Sequence, residues 1–340
     1  MKAVPVEEAV GLMLGHDITR IVPGGEKGPA FRKGHVIRLA DVPAFLDIGK
    51  QHVYVLDLPP GVLHEDEAAQ RLAKAVAGPG LALTAPTEGR INLVAATPGL
   101  LKIDVPALHR LNAIEDIVLA TVHTDHAVTV GRPVAGVRVI PLAVPAEKIA
   151  AAEKICGDAF PLIQVKPFQA LRVGMVTTGS EVYQGRIEDR FGPVLRKKFE
   201  QLGSTITRQI LVSDDVAMTA QAIRNLIGEG ARMVVVTGGM SVDPDDRTPA
   251  GIRAAGGQVV TYGAPTFPGA MFMLAYIGDI PVLGLPGCVM YYQTSVFDLV
   301  VPRLAAGERL QREDVTTLGH GGFCRGCDTC RYPDCGFGCG

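Results

Sequence analysis

The feature that most constrains this chain is the unbroken apolar run Met233-Val234-Val235-Val236, closed at once by Thr237-Gly238-Gly239. A strand with no polar face must be covered on both sides, which happens in parallel sheets flanked by helices. The residues around it repeat that logic. Leu171–Val176 reads as a strand ending in Thr177-Thr178-Gly179-Ser180-Glu181, and a helix from about Arg190 to Leu202 carries Phe191, Val194, Leu195, Phe199 and Leu202 on one stripe. Ile206–Val212 is the next strand, and Ser213-Asp214-Asp215 caps a helix running to Ile227. Strands alternating with helices at this spacing predict a doubly wound, mostly parallel α/β sheet.

The first half lacks this regularity. Short strands are expected at Val53–Leu56, Ile91–Ala95, Ile117–Val122 and Val137–Leu142, with helices from His64 to Ala77 and from Ala146 to Ile155. It reads as a mixed α/β, strand-rich domain without a chemical motif. Boundaries are expected at 1–165 for this domain, 166–312 for the doubly wound domain and 319–340 for a cysteine-rich tail.

With 340 residues, 47 % of them hydrophobic, the chain can bury two cores. The net charge of −2 offers no global field for nucleic acid or an anionic membrane, and no apolar run is long enough to span a bilayer. No signal peptide opens the sequence, so a cytoplasmic protein is expected. A phosphate-bearing ligand must then be held by local geometry.

In a doubly wound sheet, ligands bind beyond the carboxyl ends of the strands. Three loops stand at such ends. The first, Thr178-Gly179-Ser180-Glu181, offers hydroxyls and a glycine. The second, Gly238-Gly239-Met240-Ser241 through Asp246, lets backbone amides approach an anion. It also sets Asp243, Asp245 and Asp246 ahead of a helix capped by Thr248, where oxygen clusters hold Mg²⁺ beside phosphates. The third, Gly284-Leu285-Pro286-Gly287-Cys288, opens a helix expected to continue to Ala306, and free N–H groups at such a start form an anion cradle. The turn Pro268-Gly269-Ala270-Met271 could line the same crevice.

In this order and at these intervals, the loops resemble the molybdopterin-binding domain shared by molybdopterin molybdotransferases and adenylyltransferases, over about residues 170–307. Thr178-Gly179-Ser180-Glu181 is similar to the family's Thr-Gly-Asp-Glu segment, with Ser180 where aspartate is usual. Ile187-Glu188-Asp189-Arg190 resembles the approach to its first helix, and Leu285-Pro286-Gly287-Cys288 its Leu-Pro-Gly loop. The resemblance implies that Gly238, Gly239, Ser241, Pro286 and Gly287 hold the terminal phosphate of the pterin, with the Thr178–Glu181 loop beside them. It implies catalytic roles for Asp246 and Asp189, with Asp243, Asp245 and Asp246 serving Mg²⁺. Molybdopterin would be the substrate or ligand, and ATP, CTP or molybdate the second reactant. The alternatives are a non-catalytic cofactor carrier handing molybdopterin to a molybdoenzyme client, and a Mg²⁺-dependent nucleotide pyrophosphatase. Relatives of this domain commonly self-associate, so a homo-oligomer is expected. Ala9-Val10-Gly11 through Asp17-Ile18-Thr19, and Phe31 to Ile37, resemble the opening segment of the molybdotransferases.

Five of the seven cysteines fall at Cys324, Cys327, Cys330, Cys335 and Cys339, after a linker expected to be flexible at Gly319-His320-Gly321-Gly322. Two CxxC steps sharing a central cysteine are closer to the ligand run of iron–sulfur ferredoxins than to the separated pairs of a zinc ribbon. Cys324, Cys327, Cys330 and Cys335 are the expected ligands, with an iron–sulfur cluster and Zn²⁺ both open. His123 and His126, and the isolated His16, His35, His52, His64 and His109, read as structural or surface residues.

Overall fold

A computed structural model describes residues 1–20 and 28–340. The chain forms two compact units. The first comprises 1–97, 102–122 and 130–165; the second takes 98–101, 123–129 and 166–340. The second therefore borrows two segments from the first half and includes the cysteine tail.

The first unit is mixed α/β. Its main sheet is antiparallel, with strands in the order Leu81–Leu83, Arg90–Ala95, Pro133–Val139, Ile117–Thr121. The third strand starts four residues before the expected Val137, because Val134 and Ala135 are already buried on it and Pro133 takes the first position, where a missing N–H is tolerated. The helix Glu65–Val76 buries Ala69 and Ala73 against Ile91 of this sheet. His64 caps it: Nδ1 accepts the Asp66 N–H at 3.1 Å while Nε2 donates to the Gly15 carbonyl at 2.8 Å. That is a structural histidine, as expected.

The second unit is the doubly wound domain. Its six strands lie in the order Thr205–Val212, Arg172–Thr178, Met233–Thr237, Ile280–Leu285, Met273–Ile277, Gln258–Tyr262. The first four are parallel neighbours. Met273–Ile277 is antiparallel to both of its neighbours, so it alone runs against the rest. The central strand is buried along its whole length, and its residues alternate between two cores. Met233 and Val235 pack with Leu195, Phe199 and Val300, from the helices Phe191–Gln201 and Val296–Ala305. Val234 and Val236 pack with Ala220, Ile223 and Ile252, from Val216–Gly228 and Thr248–Ala254. Gly174 permits this close packing: a Cβ there would sit 2.8 Å from the Leu226 Cβ.

Three local expectations are corrected. The helix after Gly287 stops at Tyr291 and a new one begins at Val296, because Ser295 and Asp298 form a capping box. Thr248 is the first helical residue rather than the cap, which falls on Arg247. The stretch Gly319–Gly322 is no free linker. The Gly338 N–H donates to the Gly321 carbonyl at 3.0 Å, and a Cβ on Gly322 would lie 2.5 Å from the Pro265 carbonyl oxygen.

Candidate functional site

The carboxyl ends of the Arg172–Thr178 and Met233–Thr237 strands open into a crevice of ≈ 990 Å³. Two of the three glycine-bearing loops reach it directly. Thr178, Gly179 and Glu181 line it from the first; Gly238, Gly239, Asp243, Asp245 and Asp246 line it from the second. The third contributes through the short helix after Gly287, as Met290 and Tyr291. Asp189 lies in the wall. Ser180, Ser241, Pro286 and Gly287 do not line the crevice, and neither does the Pro268–Met271 turn, where Gly269 instead makes room for Val296.

The floor is built from threonines at the strand ends. Thr237 Oγ1 donates to Thr177 Oγ1 at 3.2 Å, and the Gln209 amide donates to the same Thr177 oxygen at 3.0 Å. Thr248 Oγ1 donates to the Gly238 carbonyl at 2.8 Å and lies 3.1 Å from Thr178 Oγ1. These bonds clamp the turn that carries Gly238 and Gly239, whose φ values are +83° and +53°. A Cβ on Gly238 would come within 2.2 Å of the Thr178 carbonyl oxygen, so only glycine fits.

The carboxylates divide into two kinds. Asp189 accepts the N–H groups of Phe191 and Gly192, each at 2.9 Å, and the Gln209 amide at 2.6 Å. It caps the Phe191–Gln201 helix, and its oxygens are engaged in doing so. Asp246 closes its own turn, accepting the Asp243 N–H at 3.2 Å. Asp243 and Asp245, by contrast, are exposed, and neither carboxylate has a protein partner among the described residues. Among those residues no three acidic, thiol or imidazole groups converge tightly enough to encircle one ion. Mg²⁺ does not need such a cage, since it keeps several waters and binds through one or two carboxylates plus substrate phosphates. Asp243 and Asp245 fit that requirement.

Ser180 is turned away. Its N–H and Oγ both donate to Asp214 Oδ2, at 2.8 and 2.9 Å, and Asp214 itself lines the crevice. Asp214 and Tyr291 are the site residues that sequence reasoning passes over. The signal for Asp214 was one acid too many: Asp215 alone caps the adjoining helix, accepting the Met218 N–H at 2.7 Å. Tyr291 carried no signal beyond a large aromatic ring at a loop-proximal position.

Residues 174–306 match the family model described as "Probable molybdopterin binding domain". Residues 3–57 match a model described only as a domain of unknown function. A CinA-like protein of Mycolicibacterium vanbaalenii is 35 % identical over 77 residues, 23 % of this chain and 18 % of that protein. A molybdenum cofactor biosynthesis bifunctional protein of Synechococcus elongatus is 32 % identical over 82 residues, 24 % of this chain and 26 % of that protein. The chain thus spans about a fifth to a quarter of the curated relatives it matches. Among solved structures, the tungsten cofactor synthesizing protein MoaB of Pyrococcus furiosus aligns at 22 % identity over 36 % of this chain and 84 % of its own, with a TM-score of 0.31. The molybdopterin biosynthesis MoeA protein of Pyrococcus horikosii aligns at 16 % identity over 90 % and 74 %, with a TM-score of 0.34.

Proposed function

We propose, from the premise that residues 174–306 are a domain of the molybdopterin-binding family, that the crevice binds the phosphate-bearing pterin precursor of the molybdenum cofactor and acts on its phosphate. One observation carries this reading: loops distant in sequence bring Thr178, Gly179, Gly238, Gly239 and two unpartnered carboxylates to one opening at the strand ends. The clamped Gly238–Gly239 turn allows backbone to approach phosphate without Cβ obstruction. Asp243 and Asp245 would hold Mg²⁺, which neutralises charge on phosphate oxygens when bound. Tyr291 sets an exposed aromatic residue in the crevice wall, on which a planar ligand would stack. Catalysis of nucleotidyl transfer or molybdate insertion then rests on positioning and charge neutralisation.

The Ser180–Asp214 pair favours an enzyme over a passive carrier. Where the family usually has an acid, Asp214 puts a carboxylate 2.9 Å from the Ser180 hydroxyl, so negative charge is kept at the crevice.

Purified protein incubated with molybdopterin, Mg²⁺ and ATP or CTP tests the reading. Nucleotide turnover that requires the pterin is expected for nucleotidyl transfer, and pterin-bound molybdenum after addition of molybdate for insertion. Turnover without pterin would instead make the protein a pyrophosphatase, and tight pterin binding without turnover a carrier. Failure of the wild-type chain to bind pterin would overturn the proposal. The double variant Asp243→Asn/Asp245→Asn should weaken pterin binding in Mg²⁺ by about tenfold or more, the effect of losing roughly 1.4 kcal/mol, and by little in its absence.

A further inference from the structure

We propose that the C-terminal cysteine run holds a four-iron, four-sulfide cluster, ligated by Cys324, Cys327, Cys330 and Cys335, in a cavity beside the crevice. This inference stands independently of the crevice reading. The four thiols line a single cavity of ≈ 200 Å³, and Tyr291 forms part of the wall of both cavity and crevice. The fifth tail cysteine is excluded from it. Cys339 donates to the Cys335 carbonyl at 3.2 Å, and its sulfur lies 3.8 Å from His126 Nε2.

The order of the four thiols along the chain favours one of the two metal chemistries left open by the sequence. A structural zinc sits about 2.3 Å from each sulfur, which draws four sulfurs to within about 3.8 Å of one another. Among the described residues no three acidic, thiol or imidazole groups encircle one ion. A cubane cluster instead binds each thiolate to a different iron, spreading the ligands around an inorganic core. Four cysteines lining one cavity fit the second arrangement. The two CxxC steps of Cys324, Cys327 and Cys330 have the spacing of a ferredoxin run, and Cys335, which lines the same cavity, supplies the fourth ligand.

The tail is held in place for this task. The Cys324 N–H donates to the Phe267 carbonyl at 2.8 Å. Phe337 is buried, and Gly338, at φ +78°, packs where a Cβ would lie 2.4 Å from Leu299. Thr294 Oγ1 lies 3.2 Å from Cys330 Sγ, placed to donate to a ligating thiolate, the kind of outer contact that tunes cluster potential.

Anaerobic reconstitution of the full chain with equal ferrous and ferric iron and with sulfide tests the proposal. Two ferrous ions, two ferric ions and four sulfides form the core, and four thiols release four protons as the iron–thiolate bonds form. Wild type should hold about four irons and four sulfides per chain, with a paramagnetic signal after one-electron reduction. Cys327→Ser should lose the cluster or retain at most a three-iron form, whereas Cys339→Ser should keep all four irons. Circular dichroism verifies that each variant is folded. Folded wild type that takes up one zinc and no iron, or two irons with two sulfides, would overturn the assignment. So would an equal loss of iron in Cys339→Ser and Cys327→Ser.

Discussion

At the residue scale, the turn at the crevice is shaped by a few backbone positions. Gly238 and Gly287 were both expected to contact phosphate, yet they differ physically. Gly238 is left-handed and pressed against Thr178, whereas Gly287 is right-handed helical with nothing within 4 Å of an added Cβ. Gly238→Ala should therefore cost at least about 1–2 kcal/mol from backbone conformation alone and abolish pterin binding. Gly287→Ala should unfold within about 0.5 kcal/mol of wild type. Urea denaturation of both variants checks the contrast. Glu65, in the first unit, gives a second test. Burial, reinforced by the Asp66 carboxylate, pushes it up to about 7 from 4.5. The unfolded chain ionises this group first, so the native state is penalised progressively as pH rises from 4.5 to 7. Glu65→Gln removes the penalty, worth roughly 1–3 kcal/mol at about 1.4 kcal/mol per unit. The variant should match wild type in melting temperature near pH 4 and exceed it at pH 8. Equal melting curves at pH 8 would disprove the shift. Neither Glu65 nor Asp214 was legible in advance, because burial and cross-loop pairing are tertiary properties. That Thr178, Gly179, Gly238 and Gly239 stand at strand ends was legible, because a strand end closed by glycine is a local pattern.

At the scale of elements, the parallel core was readable wherever a strand was apolar on both faces. Met233–Thr237 and Arg172–Thr178 agree with expectation to within two residues at either end. The antiparallel pair Gln258–Tyr262 and Met273–Ile277 was not assigned from the sequence, since short strands at one side of a sheet are fixed by partners and not by period. The broken helix after Gly287 could have been read. Ser295 and, three residues later, Asp298 make a capping pattern, and the apolar stripe on either side obscured it. In the structure Ser295 Oγ accepts the Phe297 N–H at 3.3 Å, and Asp298 accepts the Ser295 N–H at 2.8 Å. Lys198 neutralises Asp298 at 2.7 Å, although burial still raises that carboxyl above its usual range. Ser295→Ala should lower stability by about 1 kcal/mol, measured by chemical denaturation, because the Val296–Ala305 helix it starts carries eight buried residues of the second unit.

At the scale of the whole molecule, composition excluded more than it identified. Near-neutral charge pointed away from nucleic acid, and no helix among the described residues is long and apolar enough to cross a membrane. The division into units was only partly legible. The change of pattern near residue 165 is plain in the sequence, but nothing local shows that 98–101 and 123–129 belong to the second unit. Leu100, Leu101 and His126 in those segments are buried, and the Leu101 N–H donates to the His126 carbonyl at 2.9 Å. These two short stretches impose an order on folding. A ribosome adding about 5–20 residues per second completes the first unit's sequence on passing residue 165. By then the two stretches have already been made, and at that pace His126 waits roughly eight seconds or more for its ring partner Tyr332. During that interval the contact between the His126 ring and Tyr332 of the tail, 5.8 Å apart in the finished domain, is still to be made.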